Sequence, residues 1–475
     1  MMETDATTHT AEDQRRGGPR GVLPAWWILL FVLVAFALRV WRLDVQDIWW
    51  DEARNIDVAL RPLTAIPLAP ELDIHPPGYF ILLHLWMRVA GHTAFATRFL
   101  STWFGVLLIP LVYALARRLT MPRAGSFAAI YLALAPFLIG EAQETRMYTL
   151  AFVLLTLTAI ALRATLQGRR RAWIALGILT AASVLVHYST VFVLAALYLY
   201  AYLHLLSRPT HHGSHNTHHA LHLTLAGLLS LLLFLPQAPR AYQQIAPYGN
   251  PNLVVPSLRE YLTQLWHAYT LGIPAEGPWV PYALAAWALI TLAGLGGYAW
   301  ERGRRPARGE RLTPLVCLIV ATVVPVLIYY AVLVQRATFA PRYISFVLPF
   351  LALLFGAAWA GWWQWHRLLG GSVTLAAIAI LALGIRADQF NPQYFREDTS
   401  GLARWLVQHA GPDDVILIDV PYPLGFYYPR YSKDPDRPPQ GPDHLAPAYY
   451  LFVDIHHVDE RLNRLAAGKK RVFWV

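Results

Sequence analysis

Long apolar runs alternate with short polar segments from near the N-terminus to about residue 386. A helix needs about 20 apolar residues to cross the hydrocarbon of a bilayer. By that measure about eleven transmembrane helices are predicted: Val22–Trp41, Phe99–Ala116, Ala124–Gly140, Met147–Gln167, Trp173–His187, Thr190–Leu206, Leu221–Leu235, Trp279–Trp300, Leu312–Val334, Tyr343–Trp365 and Val373–Ile385. The pattern then changes. A helix-like run, Thr399–His409, is followed by strand-like runs at Val415–Val420, Tyr450–Ile455 and Arg471–Val475. The expected fold class is an all-α polytopic membrane protein with a small α/β C-terminal domain. Its expected parts are a tail (1–21), a transmembrane unit (22–386) and the α/β unit (387–475). The sequence stops inside the last strand-like run, so the sheet is expected to be incomplete.

The run Pro77–Ala90 decides the topology. Counted as a span, it would put Arg117-Arg118 on the outer face and Glu141, Glu144 and Arg146 on the inner one. Read as a short outer-face helix, it reverses both. Arg117-Arg118, Arg169-Arg170-Arg171, the Arg302–Arg311 stretch and Arg367 then all lie inside with the N-terminal arginines, as the positive-inside rule favours. Five polar segments are thereby expected outside: Arg42–Pro76, Glu141–Arg146, His187-Tyr188, Pro236–Pro278 and Gln335–Arg342, with everything after Arg386.

Composition supports the membrane reading. The 475 residues are 56% hydrophobic and 14% charged, against about 25% charged in a globular chain, and the mean hydropathy is +0.37. Many of the 18 Trp and 24 Tyr stand near the ends of apolar runs, where amphipathic rings settle at the interface. The net charge of +10 does not indicate nucleic acid, because the basic residues cluster between apolar runs as topology signals. Cys317 is the only cysteine, so no intramolecular disulfide forms. Val22–Val40 lacks a small-residue cleavage site and reads as a retained first helix.

Candidate chemistry gathers on the expected outer face. Trp49-Trp50-Asp51-Glu52 places adjacent carboxylates beside tryptophans, where desolvation raises a carboxylate's pKa toward that of a useful base; the alternative is a solvated acidic pair in a loop. His75-Pro76-Pro77 stiffens the entry to the short helix and would hold His75 in place, although proline at a first helical turn is common. Glu144 and Arg146, in Glu144-Thr145-Arg146-Met147-Tyr148, sit where one apolar run meets the next. Ionisable groups there are costly and mark a site or an ion pair, and an Arg fork suits phosphate oxygens. Arg342-Tyr343 offers either a phosphate contact or an interfacial anchor. His187-Tyr188, at a helix end, is the weakest signal. The His-rich loop (His204, His211, His212, His215, His218, His219, His222) falls on the expected inner side without carboxylates or cysteines and is not read as a metal site.

Taken in order, Asp51-Glu52, His75-Pro76-Pro77, Glu144–Tyr148 and Pro341-Arg342-Tyr343 resemble the protein O-mannosyltransferase superfamily. They are closest to its bacterial family 39 members and the related aminoarabinose transferases. The resemblance covers roughly residues 20–360, and Tyr394-Phe395-Arg396-Glu397-Asp398 resembles the start of the C-terminal domain in bacterial relatives. It implies a GT-C fold and an outward cavity that binds a polyprenyl-phosphate sugar. Asp51 would be the catalytic carboxylate, assisted by Glu52, with Arg146 on the donor phosphate. Glu144 is a further catalytic candidate, and His75, Tyr148, His187, Arg342 and Tyr343 are candidate substrate contacts. The resemblance admits a divalent metal, but no ligand set for one is evident. The Pro236–Pro278 loop is too short for the carbohydrate-binding-like domain of the protein mannosyltransferases, which leaves acceptor protein, lipid or glycan open. No nucleotide-binding Gly-rich loop is visible, in keeping with a lipid-linked donor. A transporter or lipid flippase is the competing class; its usual repeated halves and mid-membrane charges are not found.

Overall fold

In a computed structural model the described residues are 26–207, 213–248, 254–304, 314–411, 413–417, 421–432, 467–468 and 470–474. They build a multi-pass helical membrane protein. The helices run α1 (Trp26–Val40), α2 (Trp50–Leu60), α3 (Gly78–Ala90), α4 (Ala94–Arg118), α5 (Pro122–Leu134), α6 (Pro136–Ala142), α7 (Tyr148–Leu166), α8 (Ala172–Val186), α9 (Thr190–Leu206), α10 (Gly213–Phe234), α11 (Ala238–Ile245), α12 (Leu258–Leu271), α13 (Val280–Arg304), α14 (Pro314–Leu333), α15 (Leu348–Trp365) and α16 (Arg367–Phe390).

Each of the eleven expected runs contains helix, but the described residues hold only seven helices long and apolar enough to cross alone, or eight if a bent pair is one span. That pair is α5 and α6, bent by 61°. Ala135 precedes Pro136 and takes an extended backbone (φ −65°, ψ 117°), as steric clash with a following proline ring demands. The run expected as one span, Ala124–Gly140, is therefore broken. Helices α1, α8 and α9 have 15, 15 and 17 residues. The 13 residues of α3 reach about 20 Å at 1.5 Å per residue, short of a hydrocarbon core about 30 Å thick.

The core is centred on α15, which glycines let its neighbours approach. A Cβ on Gly361 would stand 2.9 Å from the Tyr298 backbone nitrogen, and one on Gly356 2.8 Å from that of Ala128. Small residues at helix crossings permit this in membranes, where van der Waals contact drives association.

The polar segments separate to two ends of the bundle. At one end Tyr269 donates to the Pro341 carbonyl (2.7 Å), Gln244 to the His75 carbonyl (3.1 Å) and Gln237 to the Tyr188 hydroxyl (3.0 Å). At the other, Arg302 donates to Thr120 (3.0 Å). The segments expected to share a face are thus brought together.

Beyond α16, which runs on past residue 386, lie α17 (Thr399–His409), β1 (Val415–Leu417), α18 (Pro421–Tyr431) and β2 (Val472–Trp474). The two strands pair in parallel, Val415 opposite Val472. Helix α18 was not expected from its sequence. The strand expected at Tyr450–Ile455, the 1–21 tail, His211 and His212 lie outside the described residues.

Candidate functional site

The chain leaves α1 through a turn and enters α2 at Trp49, so Asp51 and Glu52 fall in its first helical turn. Successive helical residues are about 100° apart, and the two carboxylates face different ways. The adjacent pair expected from the sequence is not formed.

Glu52 is wholly buried. Its Oε1 accepts from Arg98 Nε and the Thr145 backbone N–H, both at 2.8 Å, and its Oε2 from Arg98 Nη2 at 2.7 Å. Arg98 also donates to the carbonyls of Leu43 (2.9 Å), Gln46 (2.7 Å) and Asp47 (2.9 Å). Burial would push the Glu52 carboxyl up, but the Arg98 guanidinium outweighs it, with Arg396 and the Thr145 N–H, and holds the group below the ordinary carboxylate range. This clamp ties the 43–47 loop, α2, α4 and the Thr145-Arg146 turn together.

Asp51 faces arginines. Oδ2 is ion-paired with Arg146 and lies 4.0 Å from Arg342, and Oδ1 is 3.5 Å from Arg54. Arg146 is 2% exposed, donates to the Tyr148 hydroxyl at 3.4 Å, and has no hydrogen-bond partner at Nε. Burial opposes its charge, but Tyr148, Asp51 and Glu144 outweigh that and raise its pKa. The Trp49 ring sits among guanidiniums, with the carbons of Arg396, Arg342 and Arg146 at 4.6, 5.3 and 5.9 Å from its centroid. Arg396 also pairs with Glu144. Arg54, Arg146 and Arg342 thus surround Asp51, and with Asp73 3.8 Å from Arg54 three guanidiniums face two carboxylates, a surplus of positive charge that suits an anion and not a cation. Among the described residues no three His, Cys, Asp or Glu side chains converge as a metal site.

His75 and His187 adjoin this cluster. Gly78 begins α3 against the end of α8, where a Cβ would come 2.5 Å from the Leu185 carbonyl oxygen. That approach sets the rings of His75 and His187 edge to face at 5.6 Å, with Tyr148 and Phe346 5.7 and 4.6 Å from His187. His187 Nδ1 accepts from the Ser189 N–H at 3.2 Å and His75 Nδ1 is 3.3 Å from the Leu72 carbonyl; Nε2 of each is buried without a partner. Burial and then Arg146 push His187 down to about 3. Burial, His187, Arg146 and Arg54 push His75 well below 6.5. Both rings are neutral at physiological pH. The hydrogen-bond partners assign the Nε2 proton to His187 and a free Nε2 lone pair to His75. Tyr343 follows Arg342 half-buried against the apolar core.

The structure therefore brings Asp51, Glu144, Arg146, Tyr148, His75, His187 and Arg342 to one place and turns Glu52 away. Arg54, Arg98 and Arg396 were missed. Arg396 stood in the Tyr394–Asp398 motif without being read as a site residue, and Arg98 opens an apolar run, as an interfacial arginine also does.

Residues 74–239 match the family described as dolichyl-phosphate-mannose-protein mannosyltransferase. That segment holds the His75, Glu144–Tyr148 and His187 motifs but neither Asp51 nor Arg342. No curated protein sequence matches the chain. Among solved structures, ArnT from Cupriavidus metallidurans in the apo state has a TM-score of 0.56 at 16% identity, over 85% of this chain and 84% of that one. The same protein bound to undecaprenyl phosphate gives 0.54 at 16%, over 86% and 85%. The apo oligosaccharyltransferase of Archaeoglobus fulgidus gives 0.52 at 13%, over 93% and 69%. The resemblance read from the motifs is borne out, and the chain shares the fold of these membrane glycosyltransferases.

Proposed function

We propose that the chain is a glycosyltransferase of the bacterial inner membrane that moves a sugar from a polyprenyl-phosphate donor to an acceptor hydroxyl on the extracytoplasmic face. One observation carries this reading: Asp51 set among Arg54, Arg146 and Arg342, with Arg146 buried and incompletely partnered. An incoming phosphate competes with Asp51 for these guanidiniums, so donor binding frees the carboxylate to act as a base. The acceptor oxygen then attacks the anomeric carbon, and its proton goes to Asp51. The bond from that carbon to the phosphate oxygen breaks, and the polyprenyl phosphate departs with the electron pair, its charge held by the arginines.

Glu52 is a positioning residue, since its clamp holds the Thr145 N–H next to Arg146. The neutral Nε2 atoms of His75 and His187 offer one acceptor and one donor to sugar hydroxyls, with Tyr148 beside His187; Tyr343, next to Arg342 in the chain, is a further candidate contact. Glu144 is held by Arg396 and is the reserve carboxylate. The C-terminal α/β unit, which supplies Arg396, stands on the outer face with this site. The orientation follows from the arginine-rich loops at the opposite end. The transporter alternative gains no support, since the charges converge at one end of the bundle and not between related halves.

The test is donor binding. Polyprenyl phosphate binding to Arg146→Ala in nanodiscs is expected to weaken roughly ten- to a hundredfold, the usual loss of a hydrogen bond to a charged group. Unchanged affinity in both Arg146→Ala and Arg342→Ala would reject the phosphate site.

A further inference from the structure

A cavity of about 230 Å³ lies beside the Asp51 cluster. Glu144 and Arg396 line it, whereas Asp51, Arg146, Arg342 and Trp49 do not. The Glu144–Arg396 ion pair, with the Trp49 ring against Arg396, is thus the wall between the cavity and the proposed base. Glu141 reaches the cavity from the end of α6, the helix set by the bend at Pro136, and Asp388 from the end of α16.

Carboxyl oxygens are left without a partner on the cavity lining. Glu141 is 8% exposed, and its Oε2 is buried without a hydrogen-bond partner, as is Glu144 Oε2. Two of the three lining amides donate elsewhere. Gln143 donates to the Trp41 carbonyl at 2.8 Å, and Gln389 donates to Gln143 at 3.0 Å and to Asp388 at 2.7 Å. Arg42 donates to the Gln389 carbonyl at 2.8 Å, and Arg98 is taken up by Glu52. A ligand that supplies hydroxyl or amine groups satisfies those carboxyl oxygens, whereas an anion finds two of the three lining arginines, Arg98 and Arg396, already paired with Glu52 and Glu144. The volume is below the about 300–1,000 Å³ of pockets for drug-sized ligands, so the cavity takes one ring-sized group. An acceptor peptide would need an extended groove or a strand edge for its main chain, which a compact cavity of this size does not provide.

We propose that this cavity is the acceptor subsite, that it takes an unphosphorylated sugar ring whose hydroxyl or ammonium groups donate to Glu141 and Glu144, and that the Glu144–Arg396 pair is the gate through which the ring's reacting hydroxyl reaches Asp51. The inference rests on the transferase reading. It extends that reading by naming the acceptor as a carbohydrate.

The experiment uses the full chain in nanodiscs and saturation-transfer NMR. The probes are methyl mannoside, glucosamine, mannose 6-phosphate, an N-acetylated threonine peptide amide and, separately, a polyprenyl phosphate. Methyl mannoside or glucosamine is expected to bind wild type, with mannose 6-phosphate and the peptide failing to. Glu141→Gln should weaken sugar binding about tenfold or more. Gly140→Leu should abolish it, because a Cβ there meets only Asp388 Oδ1, at 3.9 Å, and a larger side chain fills the cavity. Both variants should keep polyprenyl phosphate affinity within about twofold, which also reports that they fold. Three results would overturn the proposal: no sugar bound by wild type, sugar binding unchanged in Gly140→Leu, or peptide binding that Gly140→Leu removes. Loss of polyprenyl phosphate binding in wild type would instead strike the transferase reading itself.

Discussion

Asp51 and Glu52 are neighbours with opposite assignments, and their substitution separates positioning from chemistry. Glu52→Gln keeps the shape but removes the charge that faces Arg98 at 2.7 and 2.8 Å in a site closed to water. Breaking a buried ion pair by removing one partner costs about 3–5 kcal/mol, since the other charge is left uncompensated. Three backbone carbonyls still hold Arg98, which places the expected loss near the lower figure. Against a total stability of about 5–15 kcal/mol, that is a large drop in the unfolding midpoint, followed by fluorescence in detergent. Because the Thr145 N–H loses its charged acceptor, donor affinity should fall as well. Asp51→Asn is expected to do the reverse. It removes a competitor for Arg146, so polyprenyl phosphate binding holds or improves while turnover falls about 10²–10⁴-fold, the worth of a general base. Glu52→Gln that melts like wild type and loses only turnover would refute the division of roles. Near-wild-type turnover by Asp51→Asn would remove it as the base.

In a Cys317→Ser background, cysteine at position 118 should be protected from an impermeant thiol reagent added outside, and cysteine at 276 should react; labelling at 118 alone would invert the topology. His187 lies at about 3 in the fold against about 6.5 unfolded, so its contribution is constant above pH 6.5 and stability falls as pH drops toward 3. By pH 5.0 the loss from this group is about 2 kcal/mol. His75, shifted the same way, adds to the slope. Melting at pH 7.5 and 5.0 should show a smaller decline for His187→Gln, and an equal decline would refute the buried neutral imidazole. Gly78→Ala should destabilise by about 1–3 kcal/mol through overpacking against the Leu185 carbonyl and shift His75; an unchanged melting midpoint would show that α3 yields freely.

Much of the membrane unit was legible because the bilayer imposes one rule on every span. Ionisable residues at the ends of apolar runs are expensive there, so Glu144, Arg146 and Arg342 stood out and proved to share a cluster with Asp51. The length of Pro77–Ala90 and the distribution of arginines together paired the right segments at one end. The bend before Pro136 was readable from proline sterics, yet an unbroken apolar run concealed it. Helix α18 was hidden for the opposite reason. Its Pro421, Pro423, Gly425 and Pro429 read as turn signals, while tertiary contacts dominate its local preference. Trp50 packs on Tyr422 at 5.6 Å, and the Ile48 N–H donates to the Tyr427 hydroxyl at 2.7 Å.

What stayed hidden in the site is pairing across sequence distance. Arg98 stands one residue before the apolar run expected at Phe99 and reads as an ordinary interfacial arginine until Glu52, 46 residues away, is placed against it. Arg396 lies 252 residues from its partner Glu144, in a segment with no apolar periodicity to place it. Two further contacts fix that segment on the loop before α2: the Arg396 N–H donates to Gln46 Oε1 at 3.2 Å and the Ser400 N–H to Asp47 Oδ2 at 2.6 Å. The same loop gives its Gln46 and Asp47 carbonyls to Arg98. The chain after α16 and the clamp on Glu52 therefore hold one loop from two sides, and Trp49, at its end, carries the arginines that face Asp51. A charge removed at Glu52 and a contact removed at Ser400 should then move the same tryptophan, although neither residue touches the anion site.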